Sequence, residues 1–478
     1  MTRLRFPRLP LRVPPLWFSS SATVCAAAVL SACATAPTLP AAPDFTPKPY
    51  VQIEHADWTR DAVIYQVNTR QFTAEGTFEA AEAELPRLAD LGVDIIWLMP
   101  IHPIGEVNRK GPLGSPYAVK DFRAVNPELG TLEDFKSFVD TAHALGLKVI
   151  IDWVANHSAW DNALLETHPD WYARDWRGEP HPPLGTDWSD VIEFDYDQPG
   201  LRQYMTEALV YWVRDVGIDG YRADVAGLVP RDFWETARAE LNKVKPVFML
   251  AEWESRDLHA SAFDATYAWT WKDTMHPVAR GEANGGAIWG YYLNQQTSWP
   301  RNAYRMIYTA NHDQNSWDGT APEIFGDAYE AAIVLAFTGE GLPLIYNGQE
   351  AFNETQLKFF ERDPITWRDH PIENLFRALI ELKTETTALH NGKHGARMVQ
   401  VTNSAMDDVV SFTRSDDNGG IFVAINLSGT AHSVALGEGP YDGAYTDHFT
   451  GETVTLSGGD ALQLPAWGYK VLVSGAGN

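Results

Sequence analysis

Arg222 and Asp224 stand two apart in the stretch GYRADVAGL, at the end of an apolar run. In an extended strand both side chains point to one face. Three other apolar runs also end in polar residues. DWVANH carries Asp152, Asn156 and His157, MLAEWE carries Glu252, and ANHD carries Asn311, His312 and Asp313. A single cation beside a carboxylate is explained by a structural ion pair. Several acidic strand ends that converge on one mouth ask for chemistry. Two carboxylates flanking a bond are what glycoside hydrolysis needs, one ionised as nucleophile and one protonated as acid. Arg222 beside Asp224 is expected to lower that carboxyl's pKa and keep it anionic. Glu252 lies among Phe248, Met249, Leu250 and Trp253, where partial desolvation is expected to raise its pKa.

The elements that must position these residues alternate along the chain. AVIYQVN, VDIIWLMP, LKVIIDWV, IDGYRADV, PVFMLAE, AFDATYAW, YRMIYTAN and GLPLIYN read as strands, mostly separated by helical patterns such as EAAEAELPRLADLG and LEDFKSFVDTAHALG. Continuous apolar strands joined by helices imply a parallel sheet. Eight of them over residues 58–388 predict an α/β fold, a closed (β/α)8 TIM barrel. An open doubly wound sheet would want a Gly-rich phosphate turn after its first strand, and YQVNTRQFT is not one. A loop insert after strand three, about residues 155–200, is too long for a turn. The insert and its entry carry Trp153, Trp160, Trp171, Trp176 and Trp188, of which at least half are expected only to pack the loop. Residues 389–478 change to short strands with Gly, Asp and Asn turns, a C-terminal antiparallel β-sandwich.

The chain of 478 residues carries a net charge of −26, which disfavours nucleic acid and anionic polymers as partners and leaves a neutral ligand unaffected. Residues 1–32 read as a signal peptide, with Arg3, Arg5, Arg8 and Arg12, a weakly apolar stretch and then LSAC. LSAC resembles a bacterial lipobox, in which Cys33 would become the acylated first residue. Cleavage after Ala34-Thr35-Ala36 is the competing reading. Export with a lipid anchor in the cell envelope is favoured, with Ala34 resembling outer-membrane sorting; a periplasmic or secreted form is the alternative. Residues 33–57 form a Pro-rich tether. Cys25 and Cys33 are the only cysteines, so a disulfide or cysteine metal site within the mature fold is not expected.

The segments DWVANH, GYRADV, MLAE and ANHD resemble, in order, the four signature regions of the α-amylase family of glycoside hydrolases. WLMPIHP and GLPLIYNGQE resemble its second and eighth strands, and the resemblance spans roughly residues 58–475. It implies Asp224 as nucleophile, Glu252 as general acid/base and Asp313 as a third acid binding sugar hydroxyls. It implies that Tyr117 stacks under the sugar, that His157 and His312 hydrogen-bond it, that Arg222 orients Asp224, and that Asp152 lies behind these residues. Glu254 is expected only to bind or to be solvated. The family often carries Lys-His shortly after the nucleophile, where this chain has Gly227 and Leu228. That departure puts the family's calcium site in doubt. Asn156, with Asp187, Asp190 or Asp195, is either a ligand or a structural amide, and no cofactor is expected to be required. The implied activity is retaining hydrolysis of α-1,4-glucosidic bonds in starch, maltodextrin or related α-glucans. A cyclomaltodextrinase or neopullulanase, an α-glucosidase, a glucan transferase and a non-catalytic glycan-binding lipoprotein are the alternatives. The tether in place of an extra N-terminal β-domain favours a plain amylase.

Overall fold

The computed structural model describes residues 45–475. The expected signal peptide, Cys33 and the expected tether up to residue 44 lie outside the described residues. Eight parallel strands close into a barrel: β1 Ile64–Val67, β2 Ile95–Leu98, β3 Lys148–Trp153, β4 Gly220–Ala223, β5 Phe248–Ala251, β6 Ala265–Tyr267, β7 Tyr304–Tyr308 and β8 Leu342–Tyr346. Each pairs with its neighbours in sequence, and β8 returns to β1 with Leu344 opposite Ile64. Each of the expected apolar runs supplies one strand. They read as apolar because both faces are covered. Ile64, Trp97, Phe248, Leu250, Tyr267 and Leu344 fill the interior. The alternate residues Tyr65, Ile96, Val149, Tyr221 and Met249 join the core beneath the helices. Against that background the fully buried Gln66, Asp152 and Arg222 stand out. Gly220 opens β4 because a Cβ there would lie 1.9 Å from the carbonyl oxygen of Phe248 on β5.

The helix expected over EAAEAELPRLADLG forms as two, Phe78–Ala83 and Leu85–Leu91, joined at Glu84. Pro86 in the first turn of the second lacks the N–H that would continue the first. Gly92 ends the pair in a left-handed turn, φ 97°. Thr131 and Asp134 cap helix Leu132–Ala144 reciprocally, and the helix after the insert, Pro199–Tyr211, runs into a wider turn at Trp212–Val216. In the insert, His157–Ala159 pairs antiparallel with Val191–Glu193. Trp153 and Trp171 are buried, each contributing about 2–3 kcal/mol of apolar burial. Trp160 bonds the Ser189 carbonyl at 2.9 Å, and Trp176 is exposed.

The C-terminal region is antiparallel. A six-stranded sheet, ordered 399–400, 409–416, 419–426, 469–475, 443–447 and 453–456, shares a core with the paired strands 432–435 and 461–464. It packs on the barrel's helical layer, where Trp289 meets Phe412 edge-on at 6.5 Å. Among the described residues no helix is long and apolar enough to cross a membrane.

Candidate active site

Asp224 and Glu252 are the first residues past β4 and β5, so each carboxyl sits on a rigid strand at the barrel's C-terminal mouth. Asp152 is the penultimate residue of β3, and register places it beside Arg222. The Arg222 guanidinium reaches all three acids. Its Nη1 donates to Asp152 Oδ1 at 2.7 Å and to Asp224 Oδ1 at 2.9 Å. Its Nη2 lies 3.0 Å from Glu252 Oε2, close enough for an ion pair but without the alignment of a hydrogen bond. The cation stacks over Trp97 and Tyr267, and Nε donates to the Tyr267 hydroxyl at 3.3 Å.

This sharing changes the electrostatics expected from sequence. Arg222 does pull Asp224 down, but burial is the larger effect and Asp152 adds to it, so the net shift is upward, to about 7. Asp152 is raised by burial in the same way, against Arg222. Glu252 rises furthest, to about 8, from burial first, opposed by Arg222 and reinforced by Asp224 and Asp313. The expected rise at Glu252 therefore has the expected direction. Arg222 is not the private partner of Asp224, and three carboxylates around one cation favour retention of a proton. Glu252, the highest of the three, is the natural holder.

The turn after Asp224 supports Glu252 from below. Val225 adopts φ 37°, ψ 46°, a left-handed conformation that strains a β-branched residue, and its N–H donates to Glu252 Oε2 at 2.7 Å. Asp313 lies past β7 with its side chain 44% exposed, and His312 Nε2 is 3.4 Å from its Oδ2. Tyr117, on the loop after β2, donates to Asp152 Oδ2 at 3.0 Å and meets His312 Nε2 at 2.7 Å. His157 is buried beside Trp188, and burial holds its imidazole well down, to about 3. Asn156 is buried behind the site, with its Nδ2 3.4 Å from His157 Nδ1. Asp224, Glu252, Asp313, Tyr117, His157 and His312 together line one cleft of about 660 Å³. Arg222, Asp152 and Asn156 sit outside its lining.

Glu254, expected to bind or be solvated, does neither. It forms an ion pair with Arg305 and accepts the Thr270 N–H at 2.9 Å, so it ties strand to helix. Sequence reasoning missed Gln66, Val225, Lys110, Trp317 and Phe359. Gln66 had a signal, a polar side chain at an inward position of an apolar strand. Trp317 and Phe359 come from loops after β7 and β8, and Phe359 lies nearly parallel to Tyr117, at 6.2 Å and 9°. Gly227 is where the chain makes room for Trp253, since a Cβ there would lie 2.1 Å from the indole.

Three of the residues weighed as calcium ligands have other partners. Lys110 Nζ bonds the Asp187 carbonyl at 2.8 Å and lies 3.6 Å from Asp190 Oδ1. Asp195 is occupied by the Asp197 N–H and the Gln198 amide, both at 3.0 Å. Among the described residues no group of three or more His, Cys, Asp or Glu side chains gathers as a metal site. Excess chelator is accordingly expected to leave the melting temperature unchanged in calorimetry. A fall restored by added calcium would contradict this reading.

The sequence matches the family described as "Alpha amylase, catalytic domain" over residues 64–378. The structure resembles a maltogenic α-amylase, AmyB from Thermotoga neapolitana, at 31% identity and TM-score 0.79, covering 87% of this chain and 99% of that one. It resembles an α-amylase from Lactobacillus plantarum at 32% identity and TM-score 0.77, with 87% and 99% covered. α-Amylase MalA of Haloarcula japonica is 30% identical over 425 residues, covering 84% of this chain and 60% of MalA. The chain spans 58–60% of the length of the first curated relatives it matches. The barrel, its acidic strand ends and these matches agree that the chain belongs to the α-amylase family.

Proposed function

We propose that the protein hydrolyses α-1,4-glucosidic bonds in starch, maltodextrin or related α-glucans with retention of configuration. The observation that carries this reading is the guanidinium of Arg222 shared among Asp152, Asp224 and Glu252, buried behind an aromatic-walled cleft that Asp224 and Glu252 line. A sugar ring stacks on Tyr117, with Asp313, His157 and His312 bonding its hydroxyls. Glu252 gives its proton to the glycosidic oxygen while an oxygen of Asp224 attacks C1, and the C1–O bond breaks. Asp224 is then esterified and Glu252 ionised. Glu252 takes a proton from water, whose oxygen attacks C1 and releases Asp224. Two inversions return the α-anomer. Arg222 and the Val225 N–H hold the two carboxyls and receive charge as it moves between them.

A second reading, transfer of the glucosyl group to a sugar acceptor, is favoured by one feature. Gly227 and Leu228 stand where the family often carries Lys-His, and the Trp253 ring packs against Gly227, so that polar pair is missing next to Glu252. Product analysis on soluble starch, maltoheptaose, β-cyclodextrin and pullulan separates the versions. The expected outcome is a spread of α-anomeric oligosaccharides from starch. In the Asp224→Asn protein the rate is expected to fall by at least about 10⁴-fold. Reaction with cyclodextrin or short maltosides alone moves the assignment to a cyclomaltodextrinase or α-glucosidase. Binding of glucan without turnover by the unmutated protein contradicts an enzyme.

We further propose export and lipid attachment at Cys33, which the basic leader and LSAC support. Cys33→Ser is expected to abolish labelling by palmitate and release the protein from the membrane fraction. Unchanged labelling would refute the anchor.

A further inference from the structure

Gln66 is a fully buried polar side chain on β1, directed into the barrel and touching no cleft surface. Both ends of its amide meet His312. The backbone N–H of His312 lies 3.3 Å from Gln66 Oε1, and His312 Nδ1 lies 2.7 Å from Gln66 Nε2. A backbone N–H only donates, so it selects the oxygen end of the amide and turns the NH2 end toward the ring. Nδ1 is then an acceptor and carries no hydrogen. In a neutral imidazole the hydrogen must reside on Nε2. Burial holds the His312 pKa down to about 4, with Asp313 opposing and Arg222 reinforcing, so the ring is neutral at neutral pH.

The rest of the chain of hydrogen bonds runs in the same sense. Nε2 donates to the Tyr117 hydroxyl oxygen at 2.7 Å, which frees the phenolic hydrogen for Asp152 Oδ2 at 3.0 Å. Asp152 Oδ1 accepts from Arg222 Nη1, the same nitrogen that holds Asp224. The opposite tautomer would set N–H against N–H at Gln66 and aim a lone pair at the Asp313 carboxylate 3.4 Å away. The other faces of the ring meet Trp97 of β2 edge-on at 5.8 Å and Tyr117 stacked at 5.7 Å, neither of which fixes a proton.

We infer that Gln66 is a positioning residue that fixes His312 in the Nε2–H tautomer, so that the ring's one donor, bonded to the Tyr117 hydroxyl here, is the one a sugar hydroxyl beside Asp313 would meet. The catalytic consequence rests on the function proposed above, whereas the tautomer does not.

The test uses protein labelled with 15N-histidine, the His312 signals being identified by their loss in His312→Gln. In the unmutated protein Nδ1 is expected at the shift of an unprotonated imidazole nitrogen and Nε2 at that of a protonated one. Gln66→Met removes both bonds at similar volume. It is expected to give mixed tautomers and to lower kcat/KM by about 10- to 100-fold with the melting transition retained. Gln66→Glu places a carboxylate at Nδ1, so both ring nitrogens are expected to be protonated at neutral pH, and activity should recover as pH rises and the ring discharges. A proton on Nδ1 in the unmutated protein overturns the inference. So does a Gln66→Met protein that keeps both the tautomer and its kcat/KM. If the unmutated protein cleaves no glucan, the proposed function fails and the nitrogen shifts still decide the tautomer.

Discussion

One guanidinium among three buried carboxylates is the constraint on which the site depends. Burying a carboxylate is costly unless cations and hydrogen bonds meet it, and a lone Arg222 cannot fully offset Asp152, Asp224 and Glu252. The shortfall has a chemical use. Burial raises all three, and Glu252 lies highest, so it is the one that keeps its proton. The ordinary difference between an aspartate and a glutamate keeps Glu252 above Asp224 when burial raises both. Removing Arg222 would harm all three acids together, which distinguishes it from a partner of Asp224 alone.

The barrel is what makes that geometry affordable in residues. Parallel strands pack neighbouring ends side by side, so β3, β4 and β5 bring Asp152, Arg222, Asp224 and Glu252 together from separate stretches of chain. Interior aromatic rings at Trp97 and Tyr267 cover the flat faces of the guanidinium and exclude water from it. The strained Val225 backbone then places a donor against Glu252 without adding another charge. Loops after β2, β3, β7 and β8 supply Tyr117, Trp188, Trp317 and Phe359, the aromatic walls of the cleft.

Much of this is legible in the sequence. Strands buried on both faces are continuous apolar runs, so their polar ends, at Arg222, Glu252 and Asp313, mark the mouth by contrast. What was not legible depends on register and on neighbours in space. The pairing of Asp152 with Arg222 follows from strand alignment, and it adds to the burial that reverses the net shift expected at Asp224. The break at Pro86 was written in the sequence, but the strong leucine spacing around it suggested one helix. Glu254 looked free because Arg305 lies far away in sequence. Gln66 was visible as an anomaly, but its partner, His312, is separated from it by 246 positions.

The central claim is that Glu252 holds a proton at neutral pH because it is buried beside other carboxylates that share one cation. Protein carrying carboxyl-13C glutamate, compared with Glu252→Gln, allows that one carboxyl to be titrated by NMR. The folded pKa is raised, so the neutral acid persists through neutral pH and is lost as pH rises through about 8. Ionising the buried group opposes folding, so its effect on stability is also unfavourable as pH rises from the ordinary range through that value. A titration near 8, with glucan cleavage falling on the same limb, is the result this account requires. Ionisation near the ordinary glutamate value of 4.5 would contradict it.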